Sequence, residues 1–516
     1  MDTLQSLIER LEFTLVTSIL DRLVSYVLEG WYNIPAPLLR VLRDEDLFQR
    51  IPTDLQGILP LAPMGMLGGF LCTDDDRRPD NPNPGVPLPR RTMRLQTFRY
   101  QNVGRWYVLH FHDLLEQLGY PGPGVLSLSG TSWLPDAAGW HLNVPPTSIL
   151  MAPQRSVQAI RRSQFFFLPQ VGEQGERLAV SGSGRLSVRI REVARQLAGS
   201  PTPALSPLRR EFQELERLAQ QEQARNRRRR VASQRTNLWI DRQRILLFVN
   251  SYDQVRAAIE GILSCQPVLE TSIYGLVQKR EDDTDESDRW MPARSILGRQ
   301  VQRADIEAFG RQPGGSILIA PLQAIGRGYN ILNANGVAAF GSVFFLTRPM
   351  PVPFDLERRA EWLNSQMLKW CDDPSHPLWR SGTFSIKSDA LHKQALLYWE
   401  NYEGQTGELT YGFPPLVYQK RLKDLLASLT GILIQACGRL LRGGIPFRAT
   451  FADAAWMNQI VDPITEQQSC YIPAMVNLLQ SYCRRDPCAR ALFGALIQSL
   501  QRSLANWRAN NQIPGP

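Results

Sequence analysis

The chain has 516 residues, 43% hydrophobic and 21% charged, with a formal net charge of +9. Those values exclude a disordered chain and suit a globular protein of about three domains. The positive excess is carried mostly by arginine and favours a polyanionic partner, although a chain of this size can hold it without binding nucleic acid.

Residues 1–70 are rich in Leu, Ile and Val, and the spacing through Leu28 predicts an amphipathic helix. The opening Met1-Asp2-Thr3-Leu4-Gln5 is not a basic-then-apolar signal peptide, and no apolar run reaches membrane-spanning length. No membrane association and a cytoplasmic location are therefore expected. Asp44-Glu45-Asp46 has the composition of a Mg-binding box. Arg40 and Arg43 interrupt the apolar run before it, so it reads as a helix start or a solvated turn. Residues 73–91 interleave Asp74, Asp75, Asp76 and Asp80 with five prolines, a composition that holds neither a helix nor an internal strand. Residues 1–92 are thus expected to be a helical N-terminal segment and a linker.

A second region, 93–235, begins with strand-like aromatics (Phe98, Tyr100, Trp106, Tyr107) and a helix from about His112 to Leu118. Val125-Leu126-Ser127-Leu128-Ser129-Gly130-Thr131-Ser132 has a buried-strand pattern ending in small hydroxyl residues. Phe165-Phe166-Phe167-Leu168 is another expected strand. A polar helix from about Leu208 to Arg225 leads to Arg227-Arg228-Arg229-Arg230, which suits phosphate backbone and equally a solvated helix end.

The third region, 236–460, opens with the continuous apolar strand around Ile245-Leu246-Leu247-Phe248-Val249, as in a parallel sheet buried on both faces. Asn250 and Ser251 follow. Ser251 and Gln254 have capping-box spacing for a helix from about Asp253 to Leu263. Ser316–Ala320 reads as a strand leading into Pro321-Leu322-Gln323-Ala324-Ile325-Gly326-Arg327-Gly328-Tyr329-Asn330, where the glycines let backbone approach a ligand. Gly341–Thr347 is a further strand with a proline-rich exit. Residues 354–420 are expected to be largely helical. From about Leu422 an apolar-periodic segment runs to Gln435-Ala436-Cys437-Gly438-Arg439-Leu440-Leu441-Arg442-Gly443-Gly444. On a helix, Gln435, Arg439 and Arg442 share one face. An amide and two guanidiniums there suit a triphosphate, because each arginine offers a rigid fork of donors. A solvated surface helix is the plain alternative. Gly443-Gly444 ends the helix, and Phe447–Asp453 is a strand with an acid at its carboxyl end. Residues 461–516 are expected to be C-terminal helices.

Cys72, Cys265, Cys371, Cys437, Cys470, Cys483 and Cys488 form no CxxC pair, so neither a zinc ribbon nor a disulfide framework is indicated. Cys483 and Cys488 with Cys470 are a weak metal candidate beside the plainer reading as free thiols. His110-x-His112 reads more simply as same-face strand residues than as metal ligands.

The block from Gln435 to Arg442 resembles motif VI of superfamily 2 helicases, in the Gln-x-x-Gly-Arg-x-x-Arg form of the DinG/XPD branch. In that family's order, Ser129-Gly130-Thr131 resembles motif III, the strand ending in Asn250 and Ser251 resembles motif IV, and Gly326-Arg327-Gly328 with Asn330 resembles motif V. The last departs from the DinG pattern, which has an acidic residue before its glycine and Asp at the position of Asn330. The resemblance covers about residues 108–460. It implies an α/β fold: a RecA-like parallel sheet domain of the helicase C-terminal type, with helical N-terminal and inserted segments and a remnant of a first RecA-like domain in 93–235.

The resemblance further implies catalytic roles for Arg439 and Arg442 and ATP contacts from Gln435, Gly438, Gly326 and Gly328. Ser129, Thr131, Asn250, Ser251, Arg327 and Asn330 would contact nucleic acid. No GxxxxGKS/T occurs, and no convincing DEAH box. ATP and Mg²⁺ are accordingly expected to be shared with a P-loop-bearing protein partner or a missing N-terminal segment, with single-stranded DNA as the track. No iron–sulfur cluster is expected, because the cysteines do not match the family spacing. Some DinG-like helicases accompany prokaryotic defence modules. A non-catalytic nucleic-acid-binding or scaffolding subunit with a degenerate helicase fold is the alternative.

Overall fold

The computed structural model describes residues 131–349 and 419–510 with breaks, the longest at 278–298 and 457–469, together with the strands at 70–74 and 93–97 and a few scattered positions. The chain divides into two compact units. One comprises Met1–Ser129, Leu142–Val144 and Val352–Thr410. Its described part is chiefly the antiparallel pair β1 (Phe70–Asp74) and β2 (Met93–Thr97), in register from Phe70 with Thr97 to Asp74 with Met93. Strand β1 takes in Thr73 and Asp74, the first two residues of the expected linker. The expected helix through Leu28, the Asp44-Glu45-Asp46 triplet and the helix from His112 lie outside the described residues.

The second unit comprises Gly130–His141, Pro145–Pro351 and Tyr411–Pro516, and so takes in residues on both sides of position 235. It is an α/β layer structure around seven parallel strands: β3 (Gln164–Phe167), β4 (Ile245–Val249), β5 (Ile273–Val277), β6 (Arg299–Gln302), β7 (Ile317–Pro321), β8 (Ser342–Phe345) and β9 (Arg448–Phe451). Their order across the sheet is β3-β9-β8-β4-β7-β5-β6, with every pairing parallel. Strands β4 and β7 are buried at every position, which is why they read as unbroken apolar runs.

Alternate residues of these strands enter two cores. Leu246, Phe248, Leu318, Ala320, Val343, Phe345 and Phe451 face α6 (Gln419–Leu440), α7 (Tyr471–Arg485) and α8 (Pro487–Asn510). Phe165, Phe451, Phe345 and Phe248 stack in that order across four neighbouring strands, with centroids 6.4, 5.2 and 5.4 Å apart. Ile245, Leu247, Val249, Ile317 and Ile319 face α2 (Leu186–Ala198), α3 (Pro207–Arg228) and α4 (Tyr252–Cys265). Helices α2 and α4 approach so closely that a Cβ on Gly261 would lie 2.2 Å from the Arg191 carbonyl. Helix α1 (Gln154–Arg162) precedes β3, and the single turn α5 (Leu322–Ile325) follows β7.

Helix starts follow the sequence. Ser206 caps α3 by accepting from the Arg209 N–H at 3.1 Å, with Pro207 in the first turn. Ser251 caps α4 by accepting from the Gln254 N–H, and the Gln254 side chain reaches back to the N–H of Asn250 at 2.8 Å. Among the described residues no helix is long and apolar enough to cross a membrane.

At the amino-terminal edge of the sheet lies Arg242, fully buried. Its guanidinium donates to the carbonyls of Leu238, Ala338, Phe340, Leu440 and Pro446 and lies 5.4 Å from the Trp239 ring. Burial pushes its pKa down to about 9, opposed by the charge of Glu222, so it stays charged at neutral pH. The Glu222 carboxylate in turn accepts from Thr236 Oγ1 and from the N–H groups of Leu238, Trp239 and Ile240 at 2.7–3.1 Å. Replacing Arg242 with Met leaves five buried carbonyls short of donors. The expected loss is about 3–5 kcal/mol in a urea titration; a loss under about 1 kcal/mol would show that the carbonyls find other partners.

Candidate functional site

Helix α6 carries the arginine block to the amino edge of β9. Ala436, Cys437 and Leu440 are buried against the sheet, while Gln435, Gly438 and Arg439 are half-buried on the other side. Gln435 and Arg439 therefore share a face, one turn apart. Arg442 differs from expectation: the helix ends at Leu440, and Arg442 stands exposed in the turn beyond. The turn is closed by Gly443 (φ 86°) and Gly444 (φ 64°), both left-handed, which explains the glycine pair. The Gly444 N–H bonds the Leu441 carbonyl at 2.8 Å, and the Arg442 carbonyl accepts from the Ala338 N–H at 3.0 Å.

Three stretches singled out separately in the sequence meet along this helix. Gln435 Nε2 donates to Thr131 Oγ1 at 2.9 Å. Arg439 Nη1 donates to the Tyr329 carbonyl, and the buried Nε of Arg439 has no hydrogen-bond partner among the described residues. Burial and the neighbouring Arg442 charge push the Arg439 pKa down to about 10, against the opposing pull of Tyr329 and Glu307. Asn330 is exposed, and its backbone N–H donates to Glu307 Oε1 at 2.6 Å. Arg303 lies 5.7 Å from the Tyr329 ring. The result is two adjacent guanidiniums whose mutual repulsion an anion would relieve.

Asn250 and Ser251 are not part of this constellation. They follow β4 and so lie at the opposite, carboxyl edge. There the Asn250 amide donates to the Arg348 carbonyl at 3.0 Å and to Thr347 Oγ1 at 3.3 Å. Gly326, Arg327, Gly328 and Ser129 lie outside the described residues.

The carboxyl edge holds a network that the sequence only hints at. After β4 the chain crosses toward β5, and after β8 toward β9, so the sheet order reverses between β4 and β8. Open α/β sheets usually bind ligands in that crevice. Here Ser181, Asn250, Thr347, Arg348 and Asp453 meet beside it. Asp453 accepts from the N–H groups of Val180, Ser181, Arg348 and Ala455 at 2.9–3.2 Å and from Ser181 Oγ at 2.7 Å. Arg348 is 3% exposed and donates to the Ala455 carbonyl. Burial lowers its pKa, opposed by Asp453 and Tyr471. The acid ending one strand and the Asn250 ending another are its sequence signals; Ser181 and Arg348 carry none.

Cys265, Cys437, Cys470, Cys483 and Cys488 are free thiols. Among the described residues no three His, Cys, Asp or Glu side chains gather as a metal site. No family model matches the chain, and no curated protein matches it.

Two outcomes test this geometry. Burial pushes the Cys437 thiol up to about 12, so it should resist iodoacetamide at pH 8 and react only after denaturation. Rapid labelling of the native chain would place Cys437 on the open face of α6. Asp453→Asn replaces one accepting oxygen with an amide N–H donor that faces other N–H donors, and should cost about 2–3 kcal/mol in a urea titration. An unchanged midpoint would remove the carboxylate from its assigned role.

Proposed function

We propose that this chain is the C-terminal part of an ATP-dependent DNA helicase or translocase of the DinG/XPD-like branch, its parallel sheet being a RecA-like domain. The reading rests above all on one observation: Thr131, Tyr329 and the Gln435–Arg442 block, far apart in sequence, come together on one helix. Arg442 and Arg439 then supply the arginine-finger side of an ATP site. The triphosphate and Mg²⁺ are gripped by a P-loop-bearing partner or a segment outside this sequence. Phosphoryl transfer spreads negative charge over the γ-phosphate oxygens, and a guanidinium placed there lowers the barrier electrostatically. Gln435 bonded to Thr131 links that site to the stretch resembling motif III, so closure on nucleotide is passed to a single-stranded DNA track.

Two observations favour the alternative of a non-catalytic nucleic-acid-binding or scaffolding subunit. Arg439 spends a donor on a main-chain carbonyl, and Asn250 spends its amide on Thr347 and Arg348, as in a helicase fold kept for assembly. DNA-stimulated ATP hydrolysis separates the two. The purified chain alone should be inactive, and activity should appear on adding the product of the adjacent gene. Arg442→Ala should then lower turnover by about 10³. No hydrolysis in the mixture, or an unaffected Arg442→Ala, would sink the helicase reading.

A further inference from the structure

In a parallel sheet, a helix that leads into a strand ends at the amino edge of that strand. Three such helices here carry arginine in the last turn: α1 with Arg161 and Arg162 before β3, α3 with Arg225, Arg227 and Arg228 before β4, and α6 with Arg439 before β9. A helix carboxyl terminus gains from one or two cations, and the effect dies within the last turn. At α3 the row continues past that limit. Arg229, Arg230 and Arg235 lie beyond the helix end, and all six arginines from 225 to 235 are exposed.

None of the six is ion-paired to a carboxylate among the described residues. The nearest acids in sequence are otherwise engaged. Glu222 is buried under the 236–240 segment, and Asp241 pairs with Arg244 at 2.9 Å. Six like charges this close repel within one Debye length of about 8 Å. The fold nevertheless holds them in place. The Asn226 side chain bonds Thr236 through both its amide groups, at 2.7 and 3.0 Å, fastening the segment back onto α3.

This patch connects to the α6 turn through packed side chains. Leu238 packs on the buried cluster Val337, Ala338 and Ile445, and a Cβ on Gly443 would fall 2.5 Å from Val337 Cγ1. On the far side of the turn, Arg155 donates to the Gly444 carbonyl at 3.3 Å, bringing α1 alongside.

We propose that the amino-terminal edge of the sheet, centred on the arginines from 225 to 235, is a docking surface for the phosphate backbone of a nucleic acid. Arginine forks match phosphate oxygens in pairs, and a row of them along an edge suits a linear polyanion. A lipid surface fits less well. Of the large apolar side chains in residues 225–232 only Val231 is exposed, so there is no apolar face to enter a bilayer. The surface is independent of any nucleotide, so it stands or falls apart from the helicase reading.

The test is fluorescence anisotropy of the full chain with labelled duplex and single-stranded DNA and RNA, without ATP, from 50 to 300 mM salt. Arg228→Gln with Arg229→Gln and Arg230→Gln should weaken binding at least about tenfold and flatten the log–log salt slope by about two to three. A charge-matched control, Arg185→Gln with Arg191→Gln and Arg256→Gln on exposed positions of α2 and α4 and the residue before α2, should change little. The proposal is overturned if the parent chain binds no nucleic acid, if the triple patch variant keeps the parent slope, or if the control loses as much. It is also overturned if the patch variant loses only binding to phosphatidylserine vesicles. The relative loss on duplex and single strand identifies which form the edge prefers.

Discussion

A guanidinium buried without a carboxylate is normally an expensive object. Arg242 is tolerated because five carbonyls converge on it, and those carbonyls come from three places that the fold must bring together. Leu238 belongs to the segment entering β4. Ala338 and Phe340 belong to the approach to β8. Leu440 and Pro446 bracket the turn between α6 and β9. Each is a point where chain arrives at the amino edge, and each would otherwise leave oxygen lone pairs in an apolar setting. One side chain satisfies them all, so the positions of three neighbouring strands and of the α6 turn are set jointly. Arg442 is exposed, yet its place is fixed, because its own carbonyl bonds Ala338 two residues before Phe340.

The two edges of the sheet solve opposite electrostatic problems. At the carboxyl edge, buried N–H groups need an acceptor, and Asp453 takes four of them together with a serine hydroxyl. The crevice where such sheets commonly bind ligands is therefore lined with side chains already committed to one another. At the amino edge, unpaired carbonyls need donors, and arginine supplies them from within as Arg242. The same edge accumulates arginines on its outside, where helix carboxyl termini present partial negative charge.

Much of the sheet was legible because burial on both faces leaves a plain signature. Strands β4, β7 and β8 read as continuous apolar runs and lie within a residue or two of where the pattern placed them. The Ser251–Gln254 cap and the glycine pair after α6 were equally readable, since their causes are local. The contacts that define the site were not. Asp241-Arg242-Gln243-Arg244 has the look of a solvated turn, and nothing within it announces that Arg242 is buried. Its partners lie up to 204 residues away. Glu222 sits among exposed residues of a polar helix and is buried only because the chain folds back over it. The bond between Gln435 and Thr131 spans 304 residues. The glycine pair marks the end of α6 but not its last helical residue: the helix stops at Leu440, so Arg442 falls in the turn and not on the helix face.

These features bear on how α6 can respond to an anion. Its carboxyl end is pinned by Arg242 through Leu440 and Pro446, and its flank by Gln435 to Thr131 and by Arg439 to Tyr329. A shift of the helix as a body would break several of these bonds together, so motion there is confined to what is left free. That is the exposed Arg442 side chain and the unused donor of Arg439. Tyr329 is the one partner of α6 in this group that belongs to the loop after β7 rather than to the pinned edge. An anion drawing Arg439 away from the Tyr329 carbonyl would break one tie of that loop and leave those to Glu307 and Arg303. The amino edge thus keeps two like charges side by side, while the Arg439–Tyr329 bond ties α6 to the loop after β7.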